Sequence, residues 1–267
     1  MKETRHHDRR GFSRRPHSSE PSHNRERREV VFGIEPIREL LAAEPDLIQS
    51  LYVSEQLQHR FAAEIDRAQK AGASVTAVDD AALVRMAGAQ TRHQGMVALI
   101  REYRYASVED LIAAAPDPLI VIDGVTDPRN LGAIFRSAEC AGASALVLGR
   151  DRTVGVTPAA IKTSAGAWAH LRIARCGNVV STLEMLKEKG YWVAALDPGG
   201  DTSLYELDVA RRLALVVGAE DTGVRQLVKR KADFLVKIPM LGKVNSLNVS
   251  VATAVALFEI ARRRSRL

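Results

Sequence analysis

The sequence predicts an α/β protein in which a parallel sheet is covered by helices on both faces and preceded by a smaller α/β unit. Two patterns carry this expectation. From Leu119 onward, short continuous apolar runs alternate with longer segments of helical character, the order expected when buried parallel strands are joined by crossover helices. Residues 29–101 show a shorter strand–helix alternation with its own apolar set. A length of 267 residues accommodates two modest domains.

The chain opens on a basic tail. Residues 1–28 hold nine Lys/Arg, four Asp/Glu and four His, so +5 of the net +6 sits there. Almost no apolar side chain is available to offset the entropy of ordering, and disorder is expected. A basic arm of this kind suits nucleic-acid phosphates, and equally a solubility tail. Ordered sequence starts near Val30. VVFGIEPIRELLAAEP reads as a strand, a Gly turn and an amphipathic helix, and SLYVSE as a strand. RFAAEIDRAQKAGA reads as a helix ending at Gly72, SVTAVD as a strand, DAALVRMAGA as a short helix, and TRHQGMVALIRE as a turn leading into a strand. The stretch 102–116, with SVEDLIAAAPDP, is a helical linker.

The second unit, 117–264, opens on the buried-type strand LIVIDGV. DPRNLGAIFRSAECAGA is a helix closed by Gly142, ALVLG a strand, and TPAAIKTSAGAWAH a helix with Pro158 in its first turn. Then come the strand LRIARC, a helix ending at Gly190, and the strands YWVAALD and LALVVGAE. VRQLVKRK is a helix, FLVKIPM a short strand, and the last helix runs from about Val249 to Arg264. That last helix is apolar on nearly every face and should be buried. The RRRSR at its end is favourable charge at a helix C-terminus.

Several classes are disfavoured. No apolar run is long enough to span a bilayer, and the N-terminus lacks the apolar core of a secretory signal. Cys140 and Cys176 read as reduced thiols of a cytoplasmic protein. There is no H-E-x-x-H, no Cys/His cluster and no G-x-S-x-G elbow, so no metal site or serine nucleophile is expected. Neither the dinucleotide fingerprint nor a P-loop occurs, which disfavours a nucleotide-dependent oxidoreductase. His93 and His170 are isolated and read as satisfied polar residues.

In open parallel sheets, ligands bind beyond the carboxyl ends of strands, and three strand ends here carry unusual residues. After LIVI, Asn130 can cap a helix and Arg136 can pair with an acid. After LALVV, Gly218, Glu220 and Gly223 permit either close backbone approach to a ligand or a plain turn. After FLVK, Ser246 or Asn245 can cap the last helix, with Asn248 in its first turn.

Taken together and in order, DPRNLGAIFRSAECAG, VVGAEDTGV and IPMLGKVNSLNVSVATAVALFE resemble the three motifs of the SpoU (TrmH-type) RNA 2′-O-methyltransferases. The likeness is greatest to the bacterial RlmB-like branch, which modifies a guanosine of 23S rRNA. FGIEPIRELL and RHQGMVA resemble that branch's small substrate-binding domain, and the likeness covers about residues 30–264. It implies a SPOUT-type knotted parallel sheet, although chains in general do not thread loops. It further implies S-adenosyl-L-methionine as cofactor, RNA as substrate, a homodimer, a cytoplasmic location, and neither metal nor membrane. By matching position, Gly218, Ile238 and Leu247 would contact the cofactor, largely through backbone groups. Asn130, Arg136, Glu220, Ser246 and Asn248 match active-site positions.

The implied reaction is attack of a ribose 2′-hydroxyl on the cofactor's methyl group. The resemblance gives Arg136 the role of activating that hydroxyl. A guanidinium stays protonated, so stabilising the oxyanion is the chemically simpler task, with a phosphate available to relay the proton. Asn130 and Glu220 would position Arg136 or the ribose, and Ser246 and Asn248 would shape the pocket. Two other readings stay open: a tRNA or an antibiotic-resistance rRNA site as target, and a non-catalytic RNA-binding or ribosome-assembly factor of the same fold.

Overall fold

The computed structural model describes residues 29–89 and 91–265. The basic segment 1–28, for which disorder is expected, lies outside the described residues.

The first unit is a four-stranded mixed sheet. Strands β1 (Glu29–Phe32), β2 (Ile48–Ser54), β3 (Ser74–Val78) and β4 (Met96–Ile100) lie in the order β1-β4-β2-β3. β4 runs antiparallel to β1 and β2, and β2 is parallel to β3. Helices α1 (Ile34–Ala43), α2 (Ala62–Lys70) and α3 (Asp80–Ala87) complete it. The FGIEP and RHQG segments fit each other. Gly33 turns the chain at φ 96°, and the Gln94 side chain accepts a hydrogen bond from Ile34 N at 3.1 Å. His93 Nδ1 accepts from Gly95 N at 3.2 Å, as expected of a satisfied polar residue.

The second unit contains α4 (Val108–Ala113), β5 (Leu119–Asp123), α5 (Pro128–Cys140), β6 (Ala145–Gly149), α6 (Pro158–Ser164), β7 (Arg172–Cys176) and α7 (Val179–Glu188). It continues with β8 (Trp192–Leu196), β9 (Thr202–Ser203), β10 (Leu213–Gly218), α8 (Gln226–Lys229), β11 (Phe234–Lys237) and α9 (Val249–Arg264). The seven strands are all parallel and ordered β7-β6-β5-β10-β8-β11-β9. The chain therefore builds outward from β5 in one direction, then crosses over and inserts β10 between β5 and β8. That reversal is where an open α/β sheet forms a crevice.

Both faces are covered, as the strand composition predicts. Ile120 and Ile122 of β5 join a core with Leu131, Ile134, Ala160 and Leu257, and this core continues into the first unit. Leu119 and Val121 point the other way, into a core with Leu111, Leu183 and Val228. The period of two along a parallel strand thus feeds α5, α6 and α9 on one face and α4, α7 and α8 on the other.

Three details depart from expectation. The helix foreseen across 157–170 breaks at Ala165 and Gly166, both in the left-handed region, and resumes as a 3-10 turn, Ala167–His170. The two-residue edge strand β9 is too short to leave a sequence pattern. The last helix is not buried all round: Val249, Thr253, Ala256, Leu257 and Ile260 are buried, but Val251 and Phe258 are 47% and 50% exposed. Its terminal arginines do more than face a helix end. Arg263 donates to the carbonyls of Tyr205 and Leu207, and Arg264 to those of Val209 and Arg211 and to the Asp117 carboxylate at 2.8 Å.

Candidate functional site

The three unusual strand ends meet at the carboxyl edge of the sheet. Asn130, in the first turn of α5, donates from Nδ2 to Glu220 Oε1 at 2.9 Å. Its Oδ1 accepts from Asn248 Nδ2 at 3.1 Å. Residues 90 and 118 positions apart in the chain are thereby joined through one amide. The capping alternatives resolve differently from expectation. Asp127, not Asn130, caps α5, accepting from Arg129 N at 2.8 Å. Asn248, not Ser246 or Asn245, caps α9, accepting from Ser250 N at 2.9 Å. An Asp directly before the N1 proline already satisfies the α5 end, which leaves the Asn130 amide for tertiary bonds.

Beside this chain lies a cavity of about 800 Å³, lined among others by Gly218, Glu220, Ile238, Ser246 and Leu247. Asn130, Asn248 and Arg136 are not among its lining residues. Lys229 and Asp197 form an ion pair on its wall. Gly218 is required by the protein's own backbone. A Cβ there would sit 2.1 Å from the carbonyl carbon of Gly223. That closeness lets Ala219 and Gly223 exchange two hydrogen bonds, of 3.0 and 3.1 Å, around the turn bearing Glu220. Gly132 is equally constrained: a Cβ would lie 2.4 Å from Ala160 O, so the glycine permits α5 to pack closely on α6.

Arg136 stands apart from the bonded set. It follows Asn130 by six positions, about 120° around the helix and about 9 Å along it. Its side chain is exposed and, among the described residues, makes no hydrogen bond or ion pair. The acid partner allowed for in the sequence is not there.

One pair at this edge went unread in the sequence. Asp123, the last residue of β5, is 2% exposed and takes both oxygens to Arg225, with Nε···Oδ2 at 2.9 Å and a second contact of 2.5 Å. The Asp123 carboxylate in turn holds the Arg225 guanidinium above its ordinary value. A buried carboxylate ending an apolar strand needs a cationic partner, and that was the available signal. Among the described residues, no group of three His, Cys, Asp or Glu could hold a metal ion.

A crevice at the reversal of a parallel sheet, rimmed by three loops that touch through an Asn–Glu–Asn set, defines a class. Residues 117–258 match the SpoU rRNA methylase family and residues 30–106 match the RNA 2′-O ribose methyltransferase substrate-binding family. The chain belongs to the SpoU methylase family. Among its relatives is the 23S rRNA (guanosine-2′-O-)-methyltransferase RlmB of Escherichia coli, 35% identical over 89% of this chain and 99% of that protein. An uncharacterized tRNA/rRNA methyltransferase of Mycobacterium avium is 39% identical over 91% of this chain and 80% of its own. An AdoMet-bound rRNA methyltransferase from Sinorhizobium meliloti superposes with a TM-score of 0.75 at 26% identity, over 89% of this chain and 88% of that one.

Proposed function

We propose that this protein transfers a methyl group from S-adenosyl-L-methionine to the ribose 2′-hydroxyl of a guanosine in 23S rRNA. One observation carries the reading above others: Asn130, Glu220 and Asn248 close into a hydrogen-bonded set, and Glu220 also lines a cavity of about 800 Å³. The relatives in which the family is a methyltransferase, one of them AdoMet-bound, disfavour a ribosome-assembly factor without catalysis.

The residues present suit the cofactor. The wall combines apolar side chains such as Val217, Ile238 and Leu247 with the glycine-shaped turn from Gly218 to Gly223, the mixture that small-molecule sites use. Gly218, Ile238 and Leu247 would hold it, and Ser246 would close the loop over it. When bound, it supplies an electrophilic methyl group. The protein's own part is to orient the ribose and stabilise charge. Asn130 is held at both ends of its amide and positions the sugar. Arg136, uncommitted to any partner among the described residues, meets the 2′-oxygen and stabilises its developing negative charge. Alignment of nucleophile and donor supplies much of the rate.

Two features belong to the same proposal. The chain passes from β11 near one end of the sheet back to α9, which packs on α5 and β10; this return supports a trefoil knot at the C-terminal end. The apolar residues Val251 and Phe258 left exposed on α9 support a homodimer. No helix among the described residues is long and apolar enough to cross a membrane. Mapping 2′-O-methyl marks in RNA from cells with and without the protein tests the reading. Loss of one 23S guanosine mark is expected, and loss confined to a tRNA would reassign the substrate.

A further inference from the structure

We propose that the loop 150–156, between β6 and α6, is a contact for RNA phosphates at the catalytic edge, and that Tyr105 is its positioning residue. The inference rests on the reading of the protein as an RNA methyltransferase and adds to it a named surface.

The loop lies beside the site. Thr153 Oγ1 accepts from Gly124 N at 2.9 Å, and Val154 N donates to Val125 O at 2.9 Å. Gly124 packs in turn against Ala219, where an added Cβ would lie 3.2 Å from the alanine methyl. Loop 150–156, the end of β5 and the turn bearing Glu220 therefore lie side by side.

The loop is also held firmly, and from an unexpected quarter. Tyr105, in the connection from the first unit, accepts from Val156 N at 2.9 Å through its hydroxyl. Arg175 donates to the carbonyls of Arg150 and Thr153 at 3.3 and 3.4 Å, with its guanidinium 5.6 Å from the Tyr105 ring centre. At Gly155 a Cβ would lie 2.7 Å from the Tyr105 oxygen, so a side chain there would push that hydroxyl aside. The connection itself is pinned where Ala106 N donates to Ile173 O at 2.9 Å. This anchoring is costly. Arg152 sits at φ 61°, a left-handed conformation uncommon for a residue with a side chain, and Arg175 Nε is buried without a hydrogen bond.

What the anchored loop presents is cationic. The Arg150 and Arg152 side chains are exposed and, among the described residues, make no hydrogen bond or ion pair. Asp151 between them contributes its field to Arg225. Solvating charges need no ordered, strained backbone. A planar guanidinium on a fixed backbone suits phosphate oxygens, and strain kept at a ligand-binding edge is a recurrent device. RNA whose ribose reaches the cavity must carry flanking phosphates across this edge.

The test uses the full chain and transcribed 23S rRNA, with binding measured across a salt series. Arg150→Ala/Arg152→Ala should weaken binding and lower the slope of log K against log salt by about 1.4, at roughly 0.7 per single-strand phosphate contact. Affinity for S-adenosyl-L-methionine should be unchanged. Arg172→Ala, an exposed arginine at the amino end of β7, the far end of the strand from the loop, should leave the slope alone. Tyr105→Phe, which removes only the hydroxyl, should raise KM for RNA several-fold while kcat holds; a purely structural role would lower kcat and cofactor affinity together. An unchanged slope in the double variant, or an equal loss in Arg172→Ala, overturns the proposal. If the wild type binds RNA but transfers no methyl group, the functional reading fails, and the salt slopes still decide this one.

Discussion

At the scale of single residues, the site divides into side chains that are spoken for and one that is not. Asn130 has both ends of its amide bonded, whereas Arg136 has no partner among the described residues. Arg136→Ala should therefore abolish methyl transfer yet leave cofactor affinity within a few-fold in calorimetry, and turnover near wild type would remove Arg136 from the reaction. Arg225 is different in kind. Removing it strands the Asp123 carboxylate in the core, so Arg225→Met should cost about 3 kcal/mol in urea unfolding, the low end for a broken buried pair because the Arg225 side chain is 41% exposed. The double variant with Asp123→Asn should recover much of that loss. Spacing within one helix could reveal that Asn130 and Arg136 belong to a motif. It could not reveal which partners they meet, because Glu220 and Asn248 reach Asn130 only through folding of the whole sheet. Arg175 and Tyr105 escaped notice for the same reason: nothing local marks a tyrosine in a connection as the anchor of a distant loop.

At the scale of elements, glycine and proline placed most boundaries correctly, since the turns at Gly33, Gly72, Gly142 and Gly190 all adopt positive φ. Where prediction failed, tertiary contact had overruled local preference. The helix after Pro158 stops at Ala165 and Gly166, both in the left-handed region, and the turn that follows, Ala167–His170, packs instead against α5 and α1. The last helix shows the opposite failure. Its near-uniform apolarity predicted burial on every side, but one chain covers only part of it. Phe258→Glu should leave the fold intact and convert the proposed dimer to a monomer in light scattering; a protein that is monomeric before the substitution would sink that proposal.

At the scale of the whole molecule, charge is segregated: residues 1–28 hold nearly all the net excess, and the remainder is close to neutral. Deleting residues 2–28 should weaken RNA binding and flatten its salt dependence without altering cofactor affinity; an identical salt slope would mark the tail as a bystander. The insertion of β10 between β5 and β8 has a further consequence. Residues 130, 220 and 248 come from three separate passes of the chain, after β5, β10 and β11, and the last of them also caps the final helix, whose end is tied to Asp117. Competence thus waits on the pass through Asn248 and α9: the sheet alone, without that return, holds Asn130 by one end of its amide only.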